Sequence, residues 1–163
     1  MEHGKLAKES RTIMTQIVFP TDTNHHETMF GGKVMEYMDK AAAIAAMRHA
    51  RMQVVTASTD SLDFLAPIRV GEVIEVEAFV TWTHRSSLEV YVVVQSENLY
   101  SGLRTTNVTA FFTFVALGAD GKPAEVPYLV PESEEEYKLF ESAPDRFAQR
   151  RRRIEERKSD GRR

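Results

Sequence analysis

Apolar and polar residues alternate over three stretches in the middle of the chain. Ile74, Val76, Ala78, Val80 and Trp82 alternate with Glu75, Glu77, Phe79 and Thr81; Leu88, Val90, Val92 and Val94 follow; then come Val108, Ala110, Phe112 and Phe114. A period of two predicts strands with one face on a core. The segment from Ile13 to Phe19, "IMTQIVF", predicts an earlier strand, stopped by Pro20. The chain from the end of the intervening helix to about Leu117 reads as strand throughout, broken by turn chemistry at "APIRVGE", "THRSS" and "LYSGL". Strands joined by such short connections pair antiparallel.

The period changes between the first strand and the rest. From Gly31 to about His49 the run "GGKVMEYMDKAAAIAAMRH" is made of good helix formers, with Glu36 four residues before Lys40 as a favourable surface pair. Such a helix is about 30 Å long. Its bias to Met and Ala lets neighbouring backbone approach closely, so it is expected to be enwrapped. The predicted class is therefore α+β: one long central helix and a five-stranded antiparallel sheet. One such layer leaves a sheet edge open, and a dimer that continues the sheet would cover it. Beyond "ADGKPAEVP", an Asp-Gly turn with prolines, residues 128–163 predict one or two solvated helices with acidic residues crowding the first start.

Composition adds limits. With 163 residues, 42% of them hydrophobic and 28% charged, the chain fits one packed domain or one domain plus a tail. It has no cysteine, which excludes disulfides, thiolate catalysis and cysteine-based zinc sites. The first residues lack an apolar leader and no apolar run suits a membrane span, so the expectation is a cytoplasmic protein with no membrane insertion. The net charge of −3 is uneven: residues 146–163 hold nine Lys/Arg against three Asp/Glu. This basic end lacks interleaved aromatics and alternates with acids, so a solvated helix end is preferred to a nucleic-acid or membrane site.

The chemistry gathers around "TNHHETMFGG", Thr23 to Gly32. His25 and His26 are adjacent, point opposite ways in extended backbone and have no ligand-spaced partner, so no metal is expected there. Gly31 and Gly32 open the helix. Glycine there lets another group approach first-turn N–H donors at the positive dipole end, although a simple glycine-assisted turn reads equally well. Asp39 tips the balance. It shares a helical face with Met35, Ala42, Ala43 and Ala46, and a carboxylate in such a setting suits a general base or nucleophile; a solvated acid is the alternative. Gly32 and Asp39 lie about 10 Å apart along one axis, too far to serve one carbonyl. Two antiparallel helices in a dimer solve this, with Gly32 and Asn24 of one subunit meeting Asp39 of the other.

These residues also resemble a known signature. "FPTDTNHHETMFGGKVMEYMDKAAAIAA" is similar to the motif of hotdog-fold acyl-CoA thioesterases of the acyl-CoA hydrolase family, both YciA-like and brain acyl-CoA hydrolase-like: Asp-x-Asn, Phe-Gly-Gly, then a helix with Met-Asp. The likeness covers residues 13–127, leaving 1–12 as an N-terminal extension and 128–163 as a charged tail. It implies a double-hotdog dimer, commonly a hexamer built as a trimer of dimers, that hydrolyses fatty acyl-CoA to fatty acid and CoA without a cofactor. It implies catalytic roles for Asn24, Asp39 and Gly32, with Asp39 activating water or attacking directly through an anhydride. CoA is a polyanion, so Arg85, Ser86 and Ser87 are expected on its path beside Gly31, with Lys33, Arg69 and Arg104 behind them. The stretch from Thr56 to Phe64 is expected to line the pantetheine channel, Ser58 and Asp60 being contacts. The rivals are a hotdog thioesterase for another acyl-CoA, such as an aromatic one, and a non-catalytic acyl-CoA-binding regulator. Enoyl-CoA hydratases on this fold would need a paired Asp and His that the chain does not offer. A regulator would need a DNA-binding segment, for which no room precedes the first strand.

Overall fold

A computed structural model describes residues 3–161; the outermost residues of the expected extension and tail, 1–2 and 162–163, lie outside them. The elements run β1 (Lys5–Leu6), β2 (Thr12–Ile17), α1 (Gly31–Ala50), β3 (Gln53–Phe64), β4 (Val73–His84), β5 (Ser87–Glu97), β6 (Arg104–Leu117), β7 (Leu129–Val130) and α2 (Glu134–Ser159). Five strands form one antiparallel sheet in the order β2-β4-β5-β6-β3, wrapped around α1. This is the α+β hotdog arrangement expected above.

The alternation explains the packing. Ile74, Val76, Ala78 and Val80 of β4 and Leu88, Val90, Val92 and Val94 of β5 are buried, as are Val108, Ala110, Phe112, Phe114 and Ala116 of β6. They meet Val34, Met38, Ala41, Ala42, Ala45 and Ala46 of α1. Four alanines on the contact face let the helix sink into the curved sheet, while large side chains come from the strands. The helix ends where Arg51 turns left-handed (φ 54°) and its N–H bonds back to Met47 O.

Both chain ends are tied down more firmly than their composition suggested. β1 pairs in parallel with β7, and Ser10, fully buried, accepts the Val80 N–H. His49 closes this end of the core. It is fully buried, its Nε2 bonds to Pro127 O at 2.7 Å, its Nδ1 has no partner among the described residues, and burial pushes its pKa below 6.5. The folded state therefore holds a neutral ring, while the unfolded chain takes up a proton below about pH 6.5. Stability is expected to be full above that pH and to fall as pH drops below it. Urea midpoints at about pH 7.5 and 5 should differ less for His49→Gln than for wild type if this residue carries the effect.

The tail corrects the expectation of solvated helices. α2 is one helix that lies across the outer face of the sheet, with Glu136, Ala143 and Arg150 buried. Ser133 and Glu136 form a capping box at its start. Pro144 sits inside the helix and removes a donor from the turn before it, and the Arg146 guanidinium donates into that turn at Leu139 O, 2.6 Å away. The same guanidinium makes two bonds to Glu89, at 2.8 and 2.9 Å, and stacks over Phe111. Glu89 is only 2% exposed and also accepts from Thr81. Periodicity missed this because Glu89 is a polar position on a strand whose other face makes the core. Arg146→Ala leaves that carboxylate buried without its cation, and is expected to lower stability by about 3 kcal/mol in chemical denaturation.

Candidate active site

The loop before α1 is built on carboxylate and amide turns. Asp22 accepts the Phe19 N–H at 3.0 Å, and Phe30 N–H returns to Asp22 O. Asn24 closes the tip: its Oδ1 accepts from His26 N–H at 2.9 Å and Thr28 N–H at 3.3 Å, and its Nδ2 faces Thr28 Oγ1 at 3.0 Å. This turns His25 and His26 outward, exposed, with their rings 3.9 Å apart. Asn24 itself is half-buried.

The loop delivers the chain to α1 without a side-chain cap, since Phe30 occupies the N-cap. The N–H groups of Gly31 and Gly32 therefore point out of the helix without intrahelical partners. Gly31 lies close under Phe64: a Cβ there would stand 3.2 Å from the ring, which would have to shift by a few tenths of an ångström. Around Gly32 a Cβ would meet nothing within 4 Å, so its approach is open. An apolar cleft of about 210 Å³ lies beside this helix start, lined by Met29, Val34, Phe64, Leu65 and Ile68 among others.

Two turns further along, Asp39 accepts a hydrogen bond from Thr56 Oγ1 at 2.8 Å. Thr56 faces inward opposite Phe114, immediately before a bulge in β3. Asp39 sits in a stripe with Met35, Ala43 and Met47, at four-residue spacing, which the sheet does not cover; Met35 and Met47 are exposed. One protomer thus displays a carboxylate held in place by a hydroxyl, and separately an open helix N-terminus. Each is a group of the kind that an acyl-transfer site uses.

Known proteins decide the family. Residues 26–102 match the thioesterase superfamily. Over 149 residues the chain is 49% identical to an uncharacterized acyl-CoA thioester hydrolase of Bacillus subtilis, YkhA, covering 91% of this chain and 87% of that one. The chain belongs to the acyl-CoA thioester hydrolases. The acyl-CoA hydrolase of Staphylococcus aureus, solved with butyryl-CoA, CoA and CoA disulfide, is 42% identical with a TM-score of 0.91, covering 98% of both chains. Alanine variants of that protein at an aspartate, a threonine and an asparagine have also been solved. A hexameric acyl-CoA thioesterase solved in its apo form is 50% identical with a TM-score of 0.90, covering 93% of this chain and 97% of its own.

Within one protomer of the hydrolase, the residues expected to bind substrate divide between the two ends of α1. Gly31, Gly32, Asn24, Lys33 and Phe64 gather at its start. Lys33 pairs with Glu36 at 3.4 Å, which raises its pKa. Arg85, Ser86 and Ser87 form the β4–β5 turn at the other end, about 30 Å away along the helix. Arg85, left-handed at φ 52°, lines a cavity of about 560 Å³ with Lys5, Met52, Thr83, Pro127 and Tyr128.

Ser58 and Asp60 are brought neither to Asp39 nor to the start of α1. The bulge after Thr56 puts Ser58 opposite Thr113 and Asp60 opposite Phe111, on the outer face. There Asp60 meets Arg153 and, at 3.6 Å, Arg150 of α2. Arg104 is held by Glu75 at 2.9 Å. The bulge after Thr56 is what separates Ser58 and Asp60 from the inward-facing Thr56. Thr56 is the residue that sequence reasoning undervalued, as merely the first of a lining segment. A threonine entering a strand carries no signal of its own, and its partner lies 17 positions away.

Proposed function

We propose that the enzyme hydrolyses fatty acyl-CoA to fatty acid and CoA in a site shared by two copies of the chain. Water attacks the thioester carbonyl with Asp39 as general base. Thr56 donates to Asp39 Oδ1, which fixes the carboxylate and leaves its second oxygen to the water. The partner's Gly32 N–H and the partner's Asn24 amide stabilise the oxyanion.

The observation that carries this reading is the Asp39–Thr56 hydrogen bond on an uncovered stripe of α1. A second helix running antiparallel along that stripe would bring its own open N-terminus to Asp39. The same packing would set the partner's helix start beside the Arg85–Ser87 turn, so that carbonyl-polarising donors and a basic turn for CoA phosphates come from opposite ends of two helices. β3, twelve residues long with one edge unpaired, offers the edge through which the two sheets would join. The three residues replaced in the S. aureus variants stand 15 and 17 positions apart. Asn24, Asp39 and Thr56 have the same spacing. The apolar lining beside the helix start suits a fatty chain.

The test is thiol release from purified enzyme with a panel of short to long straight-chain acyl-CoAs and an aromatic acyl-CoA. Release from straight-chain substrates is expected. Release from the aromatic one alone would overturn the fatty substrate, and none from any would overturn the catalytic assignment.

A further inference from the structure

The buried face of α2 is longer than the sheet beneath it. Along the helix, Glu136, Leu139, Phe140, Ala143, Phe147, Arg150 and Arg153 recur at helical spacing and are buried or half-buried. Their partners trace a path across the strands toward the open edge: Glu136 lies 3.9 Å from Arg11, which pairs with Glu77 of β4; Arg146 binds Glu89 of β5 and covers Phe111 of β6; Arg150 and Arg153 reach Asp60 of β3. β3 is the last strand. Ile154 continues the same face, four residues after Arg150, and is 39% exposed because no strand is left beneath it. About one and a half more turns follow, with Arg157 and Lys158, neither of which has an ion-pair partner among the described residues.

The outer face of β3 carries the complement. Val55, paired with Val115 on that face, is 47% exposed, and Asp63, paired with Thr109, is exposed with no ion-pair partner among the described residues. These cannot satisfy Ile154 and the basic end of their own α2, which already lies at and beyond Asp60. They can satisfy those of a copy related by a two-fold axis at the β3 edge, because such an axis places the end of each α2 over the outer face of the other β3.

We propose that the last turns of α2 dock on a second copy of the chain, Ile154 against the partner's Val55 and the basic end beside the partner's Asp63. The helix is then a strap across the dimer seam, and the positive end of the chain is an intersubunit contact rather than a solvated tail. This rests on the reading that two sheets join through β3.

The chain has no cysteine, so site-specific cross-linking is clean. Ile154→Cys and Val55→Cys, each on a differently tagged copy, are co-expressed and treated with a short bis-maleimide. A cross-linked species carrying both tags is expected in the mixture. In sedimentation, Ile154→Asp is expected to raise the dimer dissociation constant about tenfold with an unchanged circular dichroism spectrum. Dimers or larger oligomers that give no mixed cross-link, and that Ile154→Asp does not weaken, overturn the strap while leaving the joined sheets standing. A protein that stays monomeric at all concentrations overturns the joined sheets and the strap together.

Discussion

Asp39→Ala is expected to lower kcat for CoA release by at least about a hundredfold, with little change in KM. The side chain lies on the half-buried flank of α1, its neighbours there are Met35 and Ala43, and its one hydrogen bond comes from Thr56. Alanine is a good helix former and leaves no buried group unpaired except a hydroxyl that water can reach. The melting temperature should therefore hold or rise, which separates lost chemistry from lost structure. Steady-state kinetics beside a thermal melt checks both. A variant with near wild-type kcat would remove Asp39 from the mechanism. Thr56→Val tests the same pair from the other side, and a smaller fall is expected because it loosens the carboxylate without deleting it.

The second large effect is expected at Asn24, where the design of the variant matters. Its Oδ1 holds the loop by accepting from His26 and Thr28, whereas the proposed chemistry uses the amide N–H. Asn24→Asp keeps the acceptor and removes the donor, placing a negative charge where an oxyanion develops. A fall in kcat of about a hundredfold or more, with a nearly unchanged melting temperature, is expected. Asn24→Ala should lose the loop bonds as well and show both defects. If Asn24→Asp turned over normally, its role would be the turn alone.

How far the sequence reveals this molecule depends on what each residue answers to. The strands β4, β5 and β6 and the helix α1 are written in periodicity, because one face of each meets a single core. The pair of glycines and Asp39 draw a chemical reading because each is unusual in place: two glycines at a helix start, and an acid among methionines and alanines. Thr56 is not anomalous anywhere along the chain, and only the fold brings it to Asp39. The bulge that follows it hides which face Ser58 and Asp60 take, since one inserted residue exchanges the faces of all that come after. α2 misleads for a different reason. Its buried face mixes Leu139, Phe140 and Phe147 with Arg146, Arg150 and Arg153, and the acids that receive the arginines, Glu89 and Asp60, lie far away in the chain on strands whose apolar pattern concerns the opposite face. A charged helix is read as solvated until its counter-ions are located.

The same reasoning leaves each protomer with two incomplete halves. Asp39 and Thr56 stand at the middle of α1, the open donors stand at its start, and nothing within one chain brings them to a single carbonyl. The proposed shared site rests on that separation, and it is tested most directly by complementation. Asn24→Asp and Asp39→Ala chains, each inactive alone, are co-expressed in equal amounts with different tags and purified as mixed oligomers. In a mixed dimer one of the two sites takes Asn24 and Asp39 from the copies that retain them and is intact, while the other carries both substitutions, so about half of wild-type activity is expected from mixed dimers. Mixed oligomers no more active than the single variants would contradict the shared site, because a site contained within one chain is broken in every copy.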